Sequence, residues 1–168
     1  EILAGRGIRR GKIEIIHNGI DPELFSSPGD GSAVRKRFGL EGKFVVSYIG
    51  THGMAQALHR VLHAANLLRD ESGIHFLFVG EGAERESLVR YSKTLRLPNT
   101  TFLGQQDHRD IPAYLSASDV SLVTLRDAPL FSAVLPSKMF EIMGAARPVI
   151  LGVRGEARVE DGQAQRHG

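Results

Sequence analysis

Residues Lys43–Asp70, KFVVSYIGTHGMAQALHRVLHAANLLRD, give the strongest indication of the fold in this sequence of 168 residues. Their first part, Lys43–Ile49, is apolar on both faces, which is typical of a parallel strand that is covered on both sides. After a turn with two glycines, apolar side chains recur at helical spacing and predict an amphipathic helix over Gly53–Asp70. A strand, a tight turn and a helix in this order predict a right-handed crossover unit.

The remainder of the chain repeats this alternation of strands and helices. Four further buried strands are predicted at Ile74–Val79, Thr100–Leu103, Asp119–Leu125 and Arg147–Leu151. Three further helices are predicted at Gly82–Leu97, Asp110–Ala117 and Ser137–Ala146. An additional strand is predicted over Lys12–Ile16, ahead of the turn signal Asn18-Gly19. The predicted fold class is therefore α/β, a Rossmann-like parallel sheet with helices on both faces.

Composition and charge restrict the classes of function. The 21 Lys and Arg residues nearly balance the 19 Asp and Glu residues, so a nucleic-acid-binding surface has weak support. One basic cluster, within residues 6–12, could contact anionic lipid headgroups. The absence of cysteine excludes a disulfide scaffold and a thiolate metal site. No apolar run approaches the roughly 20 residues of a membrane span, and residues 1–20 lack a signal-peptide core, so we expect a soluble cytosolic domain.

Glycines follow the first three strands of the predicted sheet, at the edge where parallel sheets bind ligands. The three segments are Gly50-Thr51-His52-Gly53, Gly80-Glu81-Gly82 and Gly104-Gln105-Gln106. A glycine turn that opens a helix lets backbone N–H groups approach a phosphate, whose charge the helix dipole favours. The alternative is that these glycines only make tight turns. The first segment lacks the third glycine of the dinucleotide fingerprint, which argues against a nicotinamide cofactor.

The segment Leu135–Glu141 (LPSKMFE) combines a predicted helix start with ionisable side chains. Ser137 is placed to cap the helix, so that N–H groups, a hydroxyl and the Lys138 ammonium could all face one anion. Glu141 lies three residues after Lys138 on the same helix face and could accept both hydroxyls of a ribose. The alternative is a solvent-exposed Lys–Glu pair of little energetic consequence.

Two other patterns carry no chemistry of their own. His59 and His63 have a spacing that can hold a metal, but no glutamate or cysteine completes a site, and we expect no metal. Ser116, Ser118 and Asp119 show no nucleophile-elbow pattern, so hydrolase chemistry is not predicted.

Taken in order, several motifs resemble those of a known enzyme family. They are Lys12–Asp21 (KIEIIHNGID) with Phe25, Val46–Leu58 (VSYIGTHGMAQAL), Phe78–Gly82 (FVGEG), Thr101–Gly104 (TFLG), Ala117–Val123 (ASDVSLV), Leu135–Ile150 (LPSKMFEIMGAARPVI) and Gly155-Glu156. Their order and spacing are similar to those of the C-terminal, donor-binding domain of retaining GT-B glycosyltransferases of family 4. The similarity is strongest with the bacterial branch that builds surface polysaccharides, and it extends from about Lys12 to Glu156.

The resemblance implies a set of donor-binding residues. Gly50, Thr51, His52 and Gly53 would lie against the donor diphosphate, and Gly80 and Gly82 would line the nucleotide crevice. Gly104 and Gln105 would border the base. Val134, Leu135, Pro136 and Ser137 would offer backbone amides to the phosphates, with Lys138 as a counter-charge. Glu141 matches the second glutamate of the family's paired motif, which holds the ribose.

The sequence departs from the family pattern at three positions. Ala133 occupies the place of the first glutamate of the pair, which contacts the transferred sugar in many relatives. Thr51 and Gln56 replace the usual Arg and Lys phosphate ligands, so the phosphate charge must be met by Lys138, helix N-termini, or an arginine such as Arg126 or Arg154. The departures bear on sugar specificity more than on nucleotide binding, and no catalytic residue is assigned in this chain.

The resemblance also implies a domain plan and a function. Residues 1–20 would form a linker-side segment with a first strand, 21–156 the nucleotide-sugar-binding domain, and 157–168 a disordered polar tail. The parent enzyme would transfer a hexosyl or N-acetylhexosaminyl group from a nucleotide sugar to a lipid-linked or polysaccharide acceptor. A UDP-sugar is preferred as the donor over a GDP-sugar.

Partners and location follow from the same resemblance. The partner would be an N-terminal acceptor domain of the same polypeptide, and no nucleic-acid partner is expected. The enzyme would be located in the cytoplasm or at the inner face of the cytoplasmic membrane. Without its partner domain, the chain is expected to bind nucleotide weakly and to transfer no sugar. Two alternatives stay open, half of a nucleotide-sugar 2-epimerase and a non-catalytic nucleotide-binding or assembly module.

Overall fold

The computed structural model describes residues 2–14, 16–26, 29–131 and 134–153. Five strands form one sheet in the order β3-β2-β1-β4-β5, and every neighbouring pair is parallel. The strands are β1 (Phe44–Ile49), β2 (Ile74–Val79), β3 (Thr100–Leu103), β4 (Val120–Thr124) and β5 (Val149–Gly152). The sheet confirms the predicted fold class, and each of the five strands lies within a residue or two of its predicted position.

Helices connect the strands and cover both faces of the sheet. Those described are α1 (Ile2–Gly5), α2 (Pro22–Ser26), α3 (Gly31–Phe38), α4 (Leu58–Leu67), α5 (Arg85–Thr94), α6 (Ile111–Ser116) and α7 (Lys138–Gly144). Short 3-10 helices occur at Arg10–Lys12, Met54–Gln56, His108–Asp110 and Pro129–Phe131. Among the helices of the described ranges, none combines the length and apolar character that crossing a bilayer requires.

Alternate residues of β1 supply the two cores. Val46 and Tyr48 point to the face that α4 and α5 cover, where they pack with apolar residues of β2 and β4. Val45 points to the opposite face and packs with residues of α3 and α6. A third apolar cluster joins α2 and α7 to β4 and the end of β5. β1 is the central strand and its inner residues are buried on both faces, so its carboxyl end lies in the middle of the sheet.

One ion pair anchors α3 to the sheet. The Arg35 guanidinium lies 2.6 Å from the Asp119 carboxylate and donates further hydrogen bonds to the carbonyls of Lys43 and Ala117. The same Asp119 oxygen accepts the N–H of Val45 at 2.6 Å. The ends of β1 and β4 that lie away from the glycine loops are thereby tied together.

The additional strand predicted at Lys12–Ile16 is wrong for its described residues. Residues 10–12 form a 3-10 turn, Ile13, Glu14 and Ile16 join no strand, and Ile15 lies outside the described residues. The edges of the sheet are β3 and β5, so no strand pairs with the described residues of this segment, and Ile16 is 89% exposed. Its apolar character alone could not supply the missing hydrogen-bonding neighbour.

The helix predicted over Gly53–Asp70 is divided. Met54–Gln56 is a 3-10 turn, Ala57 has a left-handed backbone (φ 50°), and α4 begins only at Leu58. The end of β4 holds the turn, because the N–H of Arg126 donates to the Ala55 carbonyl at 2.6 Å and the Thr124 hydroxyl to the Gln56 carbonyl at 2.8 Å. These contacts with a distant strand override the local helical periodicity. The predicted tail 157–168 lies outside the described residues, and the domain plan stays a prediction.

Candidate functional site

A cleft of about 480 Å³ opens at the carboxyl ends of β1 and β2, beside the start of α7. The chain leaves β1 toward β2 and β3 on one side and returns to β4 and β5 on the other, so the strand order reverses next to β1. Open parallel sheets bind ligands at such a reversal, outside the strands' carboxyl ends. The floor of the cleft is formed by Ile49, Gly50, Val79 and Gly80.

Two glycines are required where the loops after β1 and β2 meet. Gly80 (φ 136°) and Gly82 (φ 152°) both have backbone conformations that residues with a side chain rarely adopt. A Cβ on Gly80 would overlap the carbonyl oxygen of Gly50, and one on Gly82 would overlap the backbone of His52. The glycine pattern therefore has a concrete cause, which is the direct contact of two loop backbones.

Hydrogen bonds lock the β1 loop between its neighbours. The N–H of His52 donates to the Glu81 carbonyl at 2.8 Å, and the N–H of Glu84 donates to the His52 carbonyl at 2.9 Å. On the other side, the turn that contains Gln56 is bonded to the end of β4. The floor of the cleft is thus held by hydrogen bonds on both sides.

Lys138 supplies positive charge to the cleft. It is the only lysine or arginine among the described residues that line it. Its Nζ donates to the Tyr48 hydroxyl at 2.7 Å and lies 4.0 Å from the centre of the Tyr48 ring. Burial lowers the pKa of Lys138 to about 8, although the Glu141 carboxylate opposes this shift. Near neutral pH Lys138 is therefore a protonated ammonium whose pKa lies only slightly above the pH.

His52 points away from the cleft, into the protein. Its side chain is 0% exposed and contacts the rings of Tyr48, Phe78 and Phe102, with ring centres 5.8 to 6.4 Å apart. Neither ring nitrogen has a hydrogen-bond partner. Burial, followed by the charges of Arg85 and Lys138, lowers the pKa of His52 to about 4, so the ring is neutral. His52 therefore packs as an uncharged side chain among aromatic rings beneath the loop.

Polar groups that follow β3 form another wall of the cleft. Gln105, Gln106 and His108 line it after β3. The Gln106 amide donates to the carbonyls of Gly104 and Gln105, and its oxygen accepts the Tyr114 hydroxyl at 2.7 Å. These bonds fix the orientation of the Gln106 side chain. Glu81 also lines the cleft, and its carboxylate lies 3.2 Å from the Arg85 guanidinium.

The structure brings about half of the sequence-predicted residues together. Those that line the cleft are Gly50, Thr51, Gly80, Gln105, Ser137, Lys138 and Glu141. Those that do not line it are His52, Gly53, Gly82, Gly104, Val134, Leu135 and Pro136. Of the second group, His52 and Gly82 support the loop backbone, and Pro136 is buried. Their assignment to donor binding stays a prediction.

Ser137 does not cap α7 as predicted. It occupies the position before Lys138, but its side chain makes no capping hydrogen bond. Its backbone is helical (φ −55°, ψ −33°), whereas a capping side chain needs a more extended backbone.

Further residues line the cleft, among them Gln56, Glu81, Gln106, His108 and Ile111. Gln56, Glu81 and Gln106 lie in the segments that the sequence singled out, although none of them was assigned a donor contact of its own. His108 and Ile111 were missed. Nothing in the local pattern identifies His108 or Ile111, because they reach the cleft from the 3-10 helix and α6 after β3.

The alternative phosphate ligands considered above have different placements. Arg126 is not among the residues that line the cleft. Arg154 and Ala133 lie outside the described residues. His59 and His63 line a separate pocket with Glu84, and no group of three potential metal-ligating side chains occurs in the part of the chain that the structure describes.

Comparisons with known proteins agree on one family. The family model described as glycosyl transferases group 1 matches residues 43–167. The chain is 31% identical over 145 residues to TuaH of Bacillus subtilis (strain 168), a glycosyltransferase assigned to teichuronic acid biosynthesis. It is 33% identical over 135 residues to WcaI of Escherichia coli (strain K12), a glycosyl transferase assigned to colanic acid biosynthesis. These matches cover 84% and 80% of this chain.

A solved structure has the same fold. The structure of Anabaena HepE in complex with UDP and glucose superimposes with a TM-score of 0.71 at 26% identity, covering 94% of this chain and 42% of that one. The chain spans about a third of the length of the two curated relatives, 34% and 32%.

Proposed function

The chain belongs to the group 1 glycosyl transferases, and from this we propose that it is the nucleotide-sugar-binding domain of a retaining, family 4 glycosyltransferase. The observation that carries the proposal is the cleft at the strand-order reversal, where glycine backbones, the Lys138 ammonium and the carboxylates of Glu81 and Glu141 converge. In this proposal Lys138 faces the donor diphosphate and Glu141 holds the ribose. Gly50 and Gly80 allow the phosphates to approach the backbone closely.

The electrostatics of the cleft favour a diphosphate that leaves with negative charge. The difficult step in sugar transfer is departure of the nucleoside diphosphate, and a cation already aimed at it stabilises the developing charge. Lys138 meets this requirement because its ammonium is half-buried in the cleft and has no carboxylate within ion-pair distance among the described salt bridges. The wall of Gln105, Gln106 and His108 would then face the base.

The proposal extends to the donor and to the whole enzyme. UDP is the preferred nucleotide, because HepE, to which this chain is similar, was solved with UDP and glucose. The transferred group would be a hexosyl or N-acetylhexosaminyl group, and the acceptor lipid-linked or a polysaccharide, by analogy with relatives assigned to envelope polymers. The parent enzyme would act in the cytoplasm or at the inner face of its membrane. The acceptor would bind an N-terminal domain of the same polypeptide.

The direct test is a binding panel of UDP, GDP, ADP and CMP against the chain, measured by titration and thermal unfolding. A free nucleotide at 100 times its dissociation constant should stabilise the fold by about 2.7 kcal/mol. With all four nucleotides at the same concentration, UDP should give the largest response. A flat response to every nucleotide contradicts the donor-binding proposal.

A pair of variants tests the position of the ligand. Glu141→Ala should weaken UDP binding about tenfold or more, because a ribose loses its charged acceptor. Glu86→Ala is the matched control, since Glu86 is a surface residue of α5 whose partner, Arg90, is 3.5 Å away. Equal affinities of the two variants would mean that Glu141 does not contact the nucleotide.

A further inference from the structure

Tyr48 connects the floor of the cleft to its ammonium. It is the fifth residue of β1, is 1% exposed, and its ring packs in the core beneath the loop. Its hydroxyl donates to the Thr51 carbonyl at 2.9 Å and accepts a hydrogen bond from the Lys138 Nζ at 2.7 Å. One hydroxyl is thus hydrogen-bonded both to the loop after β1 and to the first residue of α7, two segments that lie far apart in the sequence.

The geometry around Lys138 leaves protons available to a ligand. An ammonium carries three N–H donors, and the Tyr48 hydroxyl accepts one of them. The Nζ also lies over the face of the Tyr48 ring, at 4.0 Å from its centre, where a cation is attracted. A Cβ built on Gly50 would lie 2.7 Å from Nζ, so the ammonium sits directly above the glycine loop. Its remaining donors are therefore confined to the space between that loop and α7.

The contact with tyrosine, rather than with a carboxylate, has a consequence for charge. A carboxylate partner would neutralise the ammonium, whereas a neutral phenol fixes its position and leaves its charge available. The titratable groups that interact with Lys138 are Tyr48 of β1, His52 of the next loop, whose ring points away from the cleft, and Glu141 of its own helix. Glu81 lines the same cleft. Burial raises the pKa of Tyr48, so the phenol stays neutral.

From this arrangement we infer that Tyr48 is a positioning residue, which holds the Lys138 ammonium over the Gly50 loop for the diphosphate of a nucleotide. The inference rests on the proposed donor-binding function and extends it to a residue outside the cleft lining. Tyr48 does not touch the ligand itself and acts only through Lys138.

A double-mutant cycle with Tyr48→Phe and Lys138→Met tests the inference, with UDP and uridine as the two probes. Tyr48→Phe keeps the aromatic ring and removes the hydroxyl, and it should weaken UDP about tenfold, because an ordered hydrogen bond to a charged group is lost. Uridine, which lacks phosphate, should bind the unaltered chain and the Tyr48→Phe variant with equal affinity. In the Lys138→Met background, Tyr48→Phe should have no further effect on UDP.

The pH profile supplies a second readout, which a purely structural role would not move. UDP affinity should fall as the pH rises through the pKa of Lys138, near 8. Loss of the hydroxyl removes an acceptor that favours the charged form, so in Tyr48→Phe the fall should begin at lower pH. Tyr91→Phe is the matched control, because the Tyr91 hydroxyl contacts His63 at 3.2 Å on the surface, away from the cleft.

The outcomes separate the two proposals. Additive effects of the two substitutions on UDP, or equal losses for UDP and uridine, overturn the role of Tyr48 while leaving donor binding intact. Failure of UDP to bind the unaltered chain overturns the donor-binding proposal, and the role of Tyr48 in it falls as a consequence. Coupling that appears for UDP alone supports both.

Discussion

At the scale of single residues, Lys138 brings positive charge to the cleft, whereas the nearby His52 ring is neutral. The His52 ring is enclosed by three aromatic rings and has no hydrogen-bond partner for either nitrogen. A protonated ring would face the positive charges of Arg85 and Lys138 without compensation. Keeping this ring neutral avoids repulsion next to the ammonium that we assign to the phosphates.

This arrangement predicts that His52 contributes to a loss of stability in acid. The pKa of His52 is lowered from 6.5 to about 4 in the folded protein. The unfolded chain therefore binds a proton first, so stability is fully present above about pH 6.5 and is lost as the pH falls toward 4. The loss from this group is about 3 kcal/mol in total, at a limiting slope of about 1.4 kcal/mol per pH unit.

His52→Leu should flatten this part of the stability curve, measured by denaturant unfolding between pH 7 and 4. A residual slope should remain, because burial also lowers the pKa of His75. Thr51→Val is the control, since it alters the same loop but removes no ionisable group. The same slope in His52→Leu and Thr51→Val would show that the His52 ring does not titrate as assigned.

At the scale of elements, the site depends on two loops whose backbones contact each other. Gly50, Gly80 and Gly82 all have left-handed backbones, and the space for a side chain on Gly80 or Gly82 is filled by the neighbouring loop. The loops are joined through hydrogen bonds of His52 with Glu81 and Glu84. A shift in one loop must therefore move the other, and with it the floor of the cleft.

Gly80→Ala should destabilise the fold by at least about 2 kcal/mol, because it combines a strained backbone with a steric overlap at the Gly50 carbonyl. Chemical denaturation measures this directly. Gly73→Ala is the matched control, because nothing lies within 4 Å of a Cβ at Gly73, and its free energy of unfolding should change by less than about 0.5 kcal/mol. Equal stability of the two variants would mean that the two loops can separate at little cost.

At the scale of the whole molecule, the cleft lies at the carboxyl ends of β1 and β2 and is lined by residues of this chain. The chain covers about a third of the length of its curated relatives, and in the function proposed above the acceptor would bind another part of the enzyme. Donor binding and sugar transfer should then be separable properties, the first present in this chain and the second requiring the other part of the enzyme.

The purified chain should therefore bind UDP but release no UDP from a UDP-sugar when a lipid-linked acceptor is present. The parent enzyme, assayed in parallel by coupled detection of UDP release, should turn over. Sugar transfer by the chain alone would contradict the proposed division of labour. A parent enzyme that binds the donor without transferring sugar would instead favour a non-catalytic module.

Much of the fold could be predicted from the sequence, because strand positions depend on local patterns. Lys43–Ile49 and Ile74–Val79 are apolar runs bounded by turns, and the sheet contains strands at those positions. The same local reasoning failed at Lys12–Ile16, where no neighbouring strand accepts the segment, and at Ala57, where hydrogen bonds from β4 interrupt a helical pattern. A pattern read along the chain contains no information about such distant partners.

The sequence by itself determined the alternation of strands and helices, the glycine turns at one edge, and the location of Ser137, Lys138 and Glu141 beside them. Only the tertiary structure decided which side chains meet there. It turned His52 inward, brought His108 to the cleft wall, and joined Tyr48 to Lys138 across 90 residues of chain. The reason is physical: periodicity and turn chemistry act between near neighbours, whereas burial and hydrogen bonding between side chains depend on how the sheet packs its two faces.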